Sequence, residues 1–342
     1  MRATINDIAK KAGVSKTTVS FAFNNPDKIS GETRDRIMAI ASELGYVPDP
    51  VARTLAMRQT GAIGVLLPQS VHEVFHNPYI AEILRGIGYV CDGSDVSLSI
   101  LSPQNGVLTK TIRNAAVDGI ITVGIGPGMS VLELLGQRRM PFVTIDGGKH
   151  TNLVNVGIDD EAAAEALMEE VLSRSHRDVA VFMLKRVTLS ETGDHFSLTN
   201  DMRLNGFGKA LDRYGLSFGQ YSTARVCHTE ATIESGKEAA RELLALPRRP
   251  TAILCLADIQ ALGVYEACRE AGLSIPKDIS VVGFDDIPSA SYLSPPLATV
   301  RQSGFDKGMH AARLVTDLIA KKPAESVCLD FTLELRESLG SL

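Results

Sequence analysis

The first 45 residues place apolar side chains at the intervals expected of short helices. A first helix is predicted directly after Thr4, its N-cap, with Asp7 as a capping-box partner three residues later. Ser15 and Ser30 are placed to cap a second and a third helix, and Gly45 is placed to end the third. The apolar positions that would face a small core are Ile5, Ile8, Ala9, Ala12, Val19, Phe23, Ile37, Ile40, Ala41 and Leu44.

From residue 61 onward, short apolar runs alternate with amphipathic stretches. Residues 61–68 form a continuous apolar run of the kind found in a buried parallel strand. Further strands are predicted at 96–101, 119–123, 141–145, 179–184, 252–256 and 279–284, and helices at 79–89, 108–116, 131–135, 161–172, 201–214, 233–246 and 259–271. Repeated strand–helix units predict parallel sheets flanked by helices, and two such sets predict two lobes with a cleft between them.

The composition is that of a globular chain. Of the 342 residues, 44% are hydrophobic and 22% are charged, and no run of about 18 apolar residues occurs. The N-terminal residues lead into no apolar segment, so no secretory signal is predicted. The five cysteines form no Cys-x-x-Cys pair, which disfavours a zinc site or a disulfide framework. We therefore expect no metal, no cofactor and a reducing, cytoplasmic compartment.

Positive charge is concentrated near the N-terminus. Residues 1–60 contain nine Lys and Arg against six Asp and Glu, whereas the rest of the chain contains 26 against 34. A basic head on an acidic body is typical of a nucleic-acid-binding segment, although an ordinary solvated surface can give the same count. The two predicted helices around Gly13, the second opening with Lys16 and Thr17, form the helix-turn-helix pattern.

Two segments carry a resemblance to a known family. Residues 4–20, TINDIAKKAGVSKTTVS, are similar to the head of the lactose/galactose (LacI/GalR) repressor family, and residues 51–56, VARTLA, are similar to its hinge helix. The resemblance extends along essentially the whole chain. It implies an N-terminal all-α helix-turn-helix head and an α/β two-lobed body like a periplasmic binding protein, each lobe a mainly parallel sheet flanked by helices. A hinge of about eight residues would not be a stable helix by itself in water.

The resemblance also implies which residues contact DNA. Lys16 and Thr17 would meet base edges in the major groove, whereas Leu55 would wedge into the minor groove at the centre of a near-palindromic operator. Phe21 stands where the family often has Arg or His, and it either packs on a thymine methyl group or belongs to the core of the head. The implied DNA-binding set is Thr4, Ser15, Lys16, Thr17, Thr18, Ser20, Phe21, Asn24, Ala52, Arg53 and Leu55.

The predicted domains are a helix-turn-helix domain, a hinge with its linker, and an effector-binding and dimerisation domain. Their ranges are 1–48, 49–60 and 61–342. Members of the family cross between the lobes three times, and we expect the crossings near 159–160, 289–294 and 321–324. Lobe one would then comprise about 61–159 and 292–322, and lobe two about 160–291 and 323–342.

Candidate effector residues follow the predicted strands. Ligands of open α/β sheets lie beyond the carboxyl ends of the strands, which is where Asp146, Asp258 and Asp285 are predicted. Asp258 could instead be the N-cap of the helix that follows it. The resemblance adds Arg203, as a residue that binds effector hydroxyl or carboxyl groups, and Tyr79, as an aromatic residue that faces the cleft.

Together these features predict a ligand-responsive transcriptional regulator, a repressor, that binds operator DNA as a homodimer and holds a sugar-like effector between its lobes. A solute-binding protein shares the two-lobed body, but the head and the missing signal segment disfavour it. An α/β enzyme is disfavoured because no nucleophile, base and oxyanion site are predicted together. His72 and His76 have metal-like spacing without a third ligand, and the glycine-rich residues 124–128 lack the lysine of a phosphate loop.

Overall fold

The computed structural model describes residues 3–48, 54, 59–67, 71–94, 96–103, 107–125, 130–148, 153–185, 198–219 and 224–342. The chain divides into two compact units, Met1–Thr60 and Gly61–Leu342. The predicted hinge residues Ala52, Arg53 and Leu55 lie outside the described residues.

The head is a three-helix unit whose ends are capped as the sequence predicts. Its helices are α1 (Ile5–Ala12), α2 (Lys16–Asn24) and α3 (Gly31–Glu43). Asp7 accepts hydrogen bonds from the backbone N–H of Thr4 at 2.9 Å and from its hydroxyl at 2.7 Å. The hydroxyls of Ser15 and Ser30 each accept a backbone N–H three residues later, at 3.0 and 3.3 Å. These caps satisfy N–H groups that have no partner inside a helix.

A small apolar core holds the head together. It is formed by Ile8, Ala9, Ala12, Val19, Ala22, Ile37 and Ala41, with Phe23 and Tyr46 among the partly buried residues packed against it. The rings of Phe23 and Tyr46 lie 5.5 Å apart between centroids. Gly13 has a φ of 66°, a left-handed conformation that glycine adopts without strain, and it allows the tight turn between α1 and α2.

The described residues of the body form two six-stranded sheets. In chain order, the strands are β1 (Ala62–Leu66), β2 (Ser97–Leu101), β3 (Gly119–Val123), β4 (Phe142–Ile145), β5 (Asn155–Gly157), β6 (Val179–Leu184), β7 (Ala224–Thr229), β8 (Ala252–Cys255), β9 (Ser280–Asp285), β10 (Ala298–Arg301), β11 (Val327–Cys328) and β12 (Thr332–Glu334). The first sheet has the order β11-β5-β4-β3-β1-β2 and the second β12-β10-β9-β8-β6-β7. All neighbours are parallel except β10 and β12, which are antiparallel.

Helices cover both faces of each sheet, which explains why the central strands are buried throughout. The helices are α4 (Val71–Val74), α5 (Pro78–Asp92), α6 (Leu108–Asn114), α7 (Ser130–Gln137), α8 (Asp160–Ser173), α9 (Leu198–Arg213), α10 (Ile233–Leu244), α11 (Asp258–Glu270) and α12 (Gly304–Ile319). Helices α5 and α12 pack together on the first sheet, while the pairs α8–α9 and α10–α11 belong to the second. In the described ranges no helix is long and apolar enough to cross a membrane.

Two of the expected lobe crossings are in the wrong place. Strand β10 pairs with β9, so the chain leaves lobe two after Arg301 and not near residues 289–294. Strand β11 pairs with β5 of the first sheet, so the last crossing follows Cys328 and not residues 321–324. Strands β10 and β11 are short, and their apolar patterns do not reveal which sheet they join.

Some strands were not predicted at all. Strand β7 is an edge strand in which Arg225, Cys227 and His228 interrupt the apolar pattern, so it has no continuous hydrophobic run. Strand β5 has only three residues and leaves no pattern long enough to read.

Two glycines allow α5 and α12 to approach closely. A Cβ atom on Gly308 would lie 2.1 Å from the carbonyl oxygen of Ile83, and one on Gly86 would lie 1.9 Å from that of Phe305. The backbone oxygens leave no room for a side chain at either position. The close packing of the two apolar helix faces therefore depends on both glycines.

We expect Gly308→Ala to lower the free energy of unfolding of the body by about 1–3 kcal/mol, because the methyl group must push the helices apart. Gly208→Ala is the matched control, since a Cβ there meets no atom within 4 Å and alanine is the better helix former. Thermal and denaturant unfolding measure both variants. Wild-type stability of Gly308→Ala would contradict the packing described above.

Candidate functional site

One face of α2 carries four of the residues that the resemblance assigns to DNA. Thr17, Ser20, Phe21 and Asn24 are spaced by three and four residues and so share one face of the helix. Lys16 and Thr17 are exposed at its start. Their exposure leaves their polar groups accessible from outside the head.

The polar residues beside them are partly engaged within the helix. The hydroxyls of Ser15 and Thr18 lie 2.8 Å apart, and the side-chain amide of Asn24 donates to the Ser20 hydroxyl at 3.3 Å. Thr4 is exposed and holds the start of α1 through Asp7.

Phe21 is partly exposed, and the apolar core of the head is built from other residues. The ammonium group of Lys28 lies 5.2 Å from the centroid of its ring, within the range of a cation–π interaction. Of the two sequence-based interpretations, the structure therefore favours a surface role for Phe21.

In the body, a buried lysine binds two of the predicted effector residues in lobe one. Tyr79 is the second residue of α5, and Asp146 directly follows β4 with a φ of 57°. The Tyr79 hydroxyl donates to Asp146 Oδ2 at 2.9 Å. The ammonium group of Lys307 donates to Asp146 Oδ1 at 2.5 Å and to the Tyr79 hydroxyl oxygen at 2.9 Å. The Lys307 side chain has no exposed surface.

Asp285 occupies the matching position at the end of β9 in lobe two. Its φ of 127° is a backbone conformation that side-chain-bearing residues rarely adopt. Gln302 Nε2 donates to Asp285 Oδ1 at 2.6 Å. Within the described part of the chain, the second carboxylate oxygen of Asp285 has no hydrogen-bond partner. A pocket of about 170 Å³ opens beside Asp285 and Tyr79.

Arg203, on α9, is anchored within lobe two. Its Nε donates to Asp160 Oδ1 at 2.9 Å, and its Nη1 donates to the carbonyl oxygen of Leu256 at 2.9 Å. The guanidinium carbon lies 3.6 Å from the ring centroid of Phe284, the residue before Asp285. These contacts hold the buried guanidinium group in a single orientation near the end of β9.

Burial raises the pKa of the Asp285 carboxyl group well above its usual value, and the nearby charge of Asp258 raises it further. Burial also raises the pKa of Tyr79, and Asp146 adds to that effect. The tyrosine therefore stays protonated and remains a donor. Desolvation at Asp285 favours any ligand group that brings a hydrogen-bond donor or a positive charge to this carboxylate.

Asp258 does not face the ligand cleft as expected. It is the first residue of α11, and its N-cap is Ala257, so the alternative interpretation of Asp258 as an N-cap is also wrong. Asp258 Oδ1 accepts from the Thr299 hydroxyl at 2.7 Å, and its Oδ2 accepts from the backbone N–H of Ile287 at 2.9 Å. The side chain instead ties the start of α11 to the segment that follows β9 and to strand β10, and it has no exposed surface.

The two lobes meet close to Asp146. The Thr199 hydroxyl, at the start of α9, donates to the carbonyl oxygen of Asp146 at 3.1 Å. A Cβ on Gly148 would lie 2.0 Å from a methyl carbon of Leu198, so the two lobes are in direct contact here. The predicted residues Tyr79, Asp146, Arg203 and Asp285 therefore lie around one inter-lobe region, whereas the Asp258 side chain is fully buried within lobe two.

Lys307 and Gln302 were missed by the sequence analysis. The signal for Lys307 is its position among the buried residues of α12, which are Gly304, Lys307, Gly308, Ala311, Ala312 and Val315. A lysine in an otherwise apolar stripe needs buried acceptors. Gln302 lies in the crossing segment after β10, where no periodicity distinguishes it.

The structure adds no metal site in its described residues. No group of three or more potential ligands comes together there, and His72 and His76 lie edge to face with ring centroids 4.9 Å apart. Of the glycine-rich residues 124–128, those from 126 onward lie outside the described ranges.

Comparison with known proteins agrees with this architecture. Residues 4–49 match the model for bacterial regulatory proteins of the lacI family, and residues 168–339 match a periplasmic binding protein-like domain. The chain is 32% identical to the HTH-type transcriptional repressor PurR of Pasteurella multocida, over 99% of both chains. The chain belongs to the LacI family. The head, the two-lobed body and the parallel sheets are those predicted for this family.

Two solved structures of LacI-family proteins are similar to the whole chain or to its body. The lac repressor dimer bound to operator and the anti-inducer ONPF is 25% identical, with a TM-score of 0.81 over all of both chains. A LacI-family regulator from Enterococcus faecium with bound ribose is 27% identical, with a TM-score of 0.68, and the match covers 82% of this chain and 99% of that one.

We expect Asp258→Asn to alter how the stability of the body depends on pH. Burial raises the pKa of Asp258 to about 7. An acid whose pKa is raised on folding contributes stability that is present below its unfolded pKa, about 4, and is lost as the pH rises through about 7.

Wild-type stability should therefore fall relative to the variant by up to about 1.4 kcal/mol per pH unit between about pH 4 and 7. Thermal unfolding across this range measures the difference. Asp330→Asn, at an exposed position, is the control and should leave the slope unchanged. Parallel curves for Asp258→Asn and wild type would contradict the assignment.

Proposed function

We propose that the protein is a bacterial transcriptional repressor of the LacI family that binds a near-palindromic operator as a homodimer and holds a small hydroxyl-rich effector between its lobes. The observation that supports DNA binding best is the exposed face of α2 within the matched residues 4–49. Lys16 and Thr17 would contact base edges, and Phe21 would pack on a thymine methyl group. We propose that it acts in the cytoplasm and has no enzymatic activity.

The proposed effector contacts lie mainly in lobe two. Asp285 has a carboxylate oxygen without a partner among the described residues, and Arg203 is fixed beside it. Tyr79 would supply a wall of the pocket from lobe one. Both carboxylate oxygens of Asp146 already accept hydrogen bonds from the protein, so we assign Asp146 an indirect role.

The hinge is the proposed switch between the lobes and the DNA. A helix of about eight residues is marginal in water, so a change in lobe arrangement worth a few kcal/mol can decide whether it forms. Coupling between effector and operator is expected at about 1–3 kcal/mol.

The test of DNA binding is selection of duplexes from a random library by the full-length protein at about 0.15 M salt, where screening suppresses non-specific phosphate contacts. We expect enrichment of a near-palindrome with a flexible central step. Leu55→Ala should weaken binding to the selected duplex while leaving effector affinity unchanged. The absence of any enriched sequence, with and without a pooled metabolite extract, would contradict the proposed function.

The test of the effector site is thermal stabilisation by a panel of pentoses, hexoses, disaccharides and nucleosides. We expect Asp285→Asn to reduce affinity for the stabilising compound about tenfold or more, because it weakens a charge-assisted hydrogen bond. Asp330→Asn, which is exposed, is the matched control. Equal affinities of Asp285→Asn and wild type would exclude Asp285 as an effector contact.

A further inference from the structure

Lys307 has every donor of its ammonium group in use. The three N–H groups meet Asp146 Oδ1 at 2.5 Å, Gln302 Oε1 at 2.5 Å and the Tyr79 hydroxyl oxygen at 2.9 Å. A lysine ammonium has three donors and no acceptor. It can therefore bind a ligand only by giving up one of these protein contacts, which makes a direct ligand role unfavourable.

Gln302 lies between groups of opposite hydrogen-bonding character. Lys307 can only donate, so it fixes the carbonyl end of the Gln302 side chain, and Asp285 accepts from the amide end at 2.6 Å. The orientation of the amide is thus determined from both sides. Hydrogen bonds in such a chain polarise one another.

The resulting chain of side chains joins the two lobes. Asp146 follows β4 of the first sheet, and Asp285 ends β9 of the second. Gln302 lies in the segment that crosses from β10 to α12, and Lys307 lies in the first turns of α12. The order is Asp285, Gln302, Lys307, Asp146, with Tyr79 bound to the last two.

We propose that Lys307 is a positioning residue that couples Asp285 of lobe two to Asp146 and Tyr79 of lobe one through Gln302. A ligand bound to Asp285 would thereby change the positions of these lobe-one residues. The part that concerns the effector depends on the function proposed above. The energetic coupling between Asp146 and Asp285 is a property of these hydrogen-bonded side chains and can be tested without DNA or effector.

The mechanism follows from the contacts. A ligand hydroxyl or ammonium group that donates to the second carboxylate oxygen of Asp285 draws on the same negative charge as Gln302 and so weakens the hydrogen bond from Gln302 to Oδ1. Loss or lengthening of that hydrogen bond frees the Gln302 amide to turn, and Lys307 then loses the Gln302 oxygen as an acceptor. The ammonium group responds by moving toward Asp146 and Tyr79, which are attached to β4 and α5.

The first test is a double-mutant cycle of Asp146→Asn and Asp285→Asn in the full-length protein, measured by denaturant unfolding of the body. Each substitution interrupts the same chain of contacts. With Lys307 present, the two effects should therefore be non-additive. The unfolding equilibrium constant of the double variant should be about tenfold smaller than the value that the two single effects together predict.

Repeating the cycle in Lys307→Met separates coupling from simple stabilisation. Methionine keeps much of the side-chain volume but has no donor, so the non-additivity should disappear or change sign, leaving only direct repulsion between the acids. Gln302→Leu should give the same result and serves if Lys307→Met does not fold. An unchanged non-additivity in both backgrounds would overturn the proposal.

The second test is chemical rescue of Lys307→Ala by propylammonium chloride, which restores the missing methylenes and the charge. Its melting temperature should rise by several degrees more than that of wild type, with an equal concentration of sodium chloride as the salt control. Propan-1-ol fills the same space without the charge and should not rescue. Equal rescue by the alcohol would show that Lys307 acts only by filling volume.

The two proposals can fail separately. Failure to select an operator or effector would contradict the proposed function and leave the cycle interpretable. The effects of the Asp146 and Asp285 substitutions could instead be additive in a protein that does respond to an effector. That result would show that Lys307 does not couple the lobes, and it would leave the proposed function unaffected.

Discussion

Keeping an ammonium group out of water constrains much of the inter-lobe region. An isolated buried charge is strongly unfavourable, and removing one partner of a buried ion pair typically costs about 3–5 kcal/mol. Lys307 avoids that penalty through Tyr79, Asp146 and Gln302, which come from three distant parts of the sequence. The positions of α5, of the end of β4 and of the crossing segment are thereby fixed relative to α12.

The contact between α5 and α12 is also stabilised by apolar packing. Gly308 follows Lys307 directly and lies against Ile83, one turn after Tyr79 in α5. The close approach of the two backbones brings the tyrosine hydroxyl to the lysine. Packing and electrostatics thus support one geometry, and neither helix could move far without disturbing both. In lobe two, Arg203 and Asp160 form a second buried ion pair that is separate from this network.

The sequence was sufficient to predict the head, the central strands and most helices, because capping residues and long apolar runs are local signals. It also predicted Tyr79, Asp146, Arg203 and Asp285 as effector residues, and the structure brings these four to one region. It could not place β10 and β11 in their sheets, because strands of two to four residues have no distinctive pattern. Asp258 was misassigned because its partners, Thr299 and Ile287, lie about 40 and 30 residues away.

Both sheets are completed by C-terminal segments of the chain. The edge strands β11 and β12 follow every other strand in sequence, and Ser338 bonds to the backbone of both Val281 and Ala298. During synthesis from the N-terminus, the head can form its own core while the ribosome is still translating the body. The sheet of lobe one cannot be complete until β11, Val327–Cys328, has been made, and lobe two also needs β12 and Ser338. A nascent chain would therefore carry a folded head before it carries a finished regulatory body.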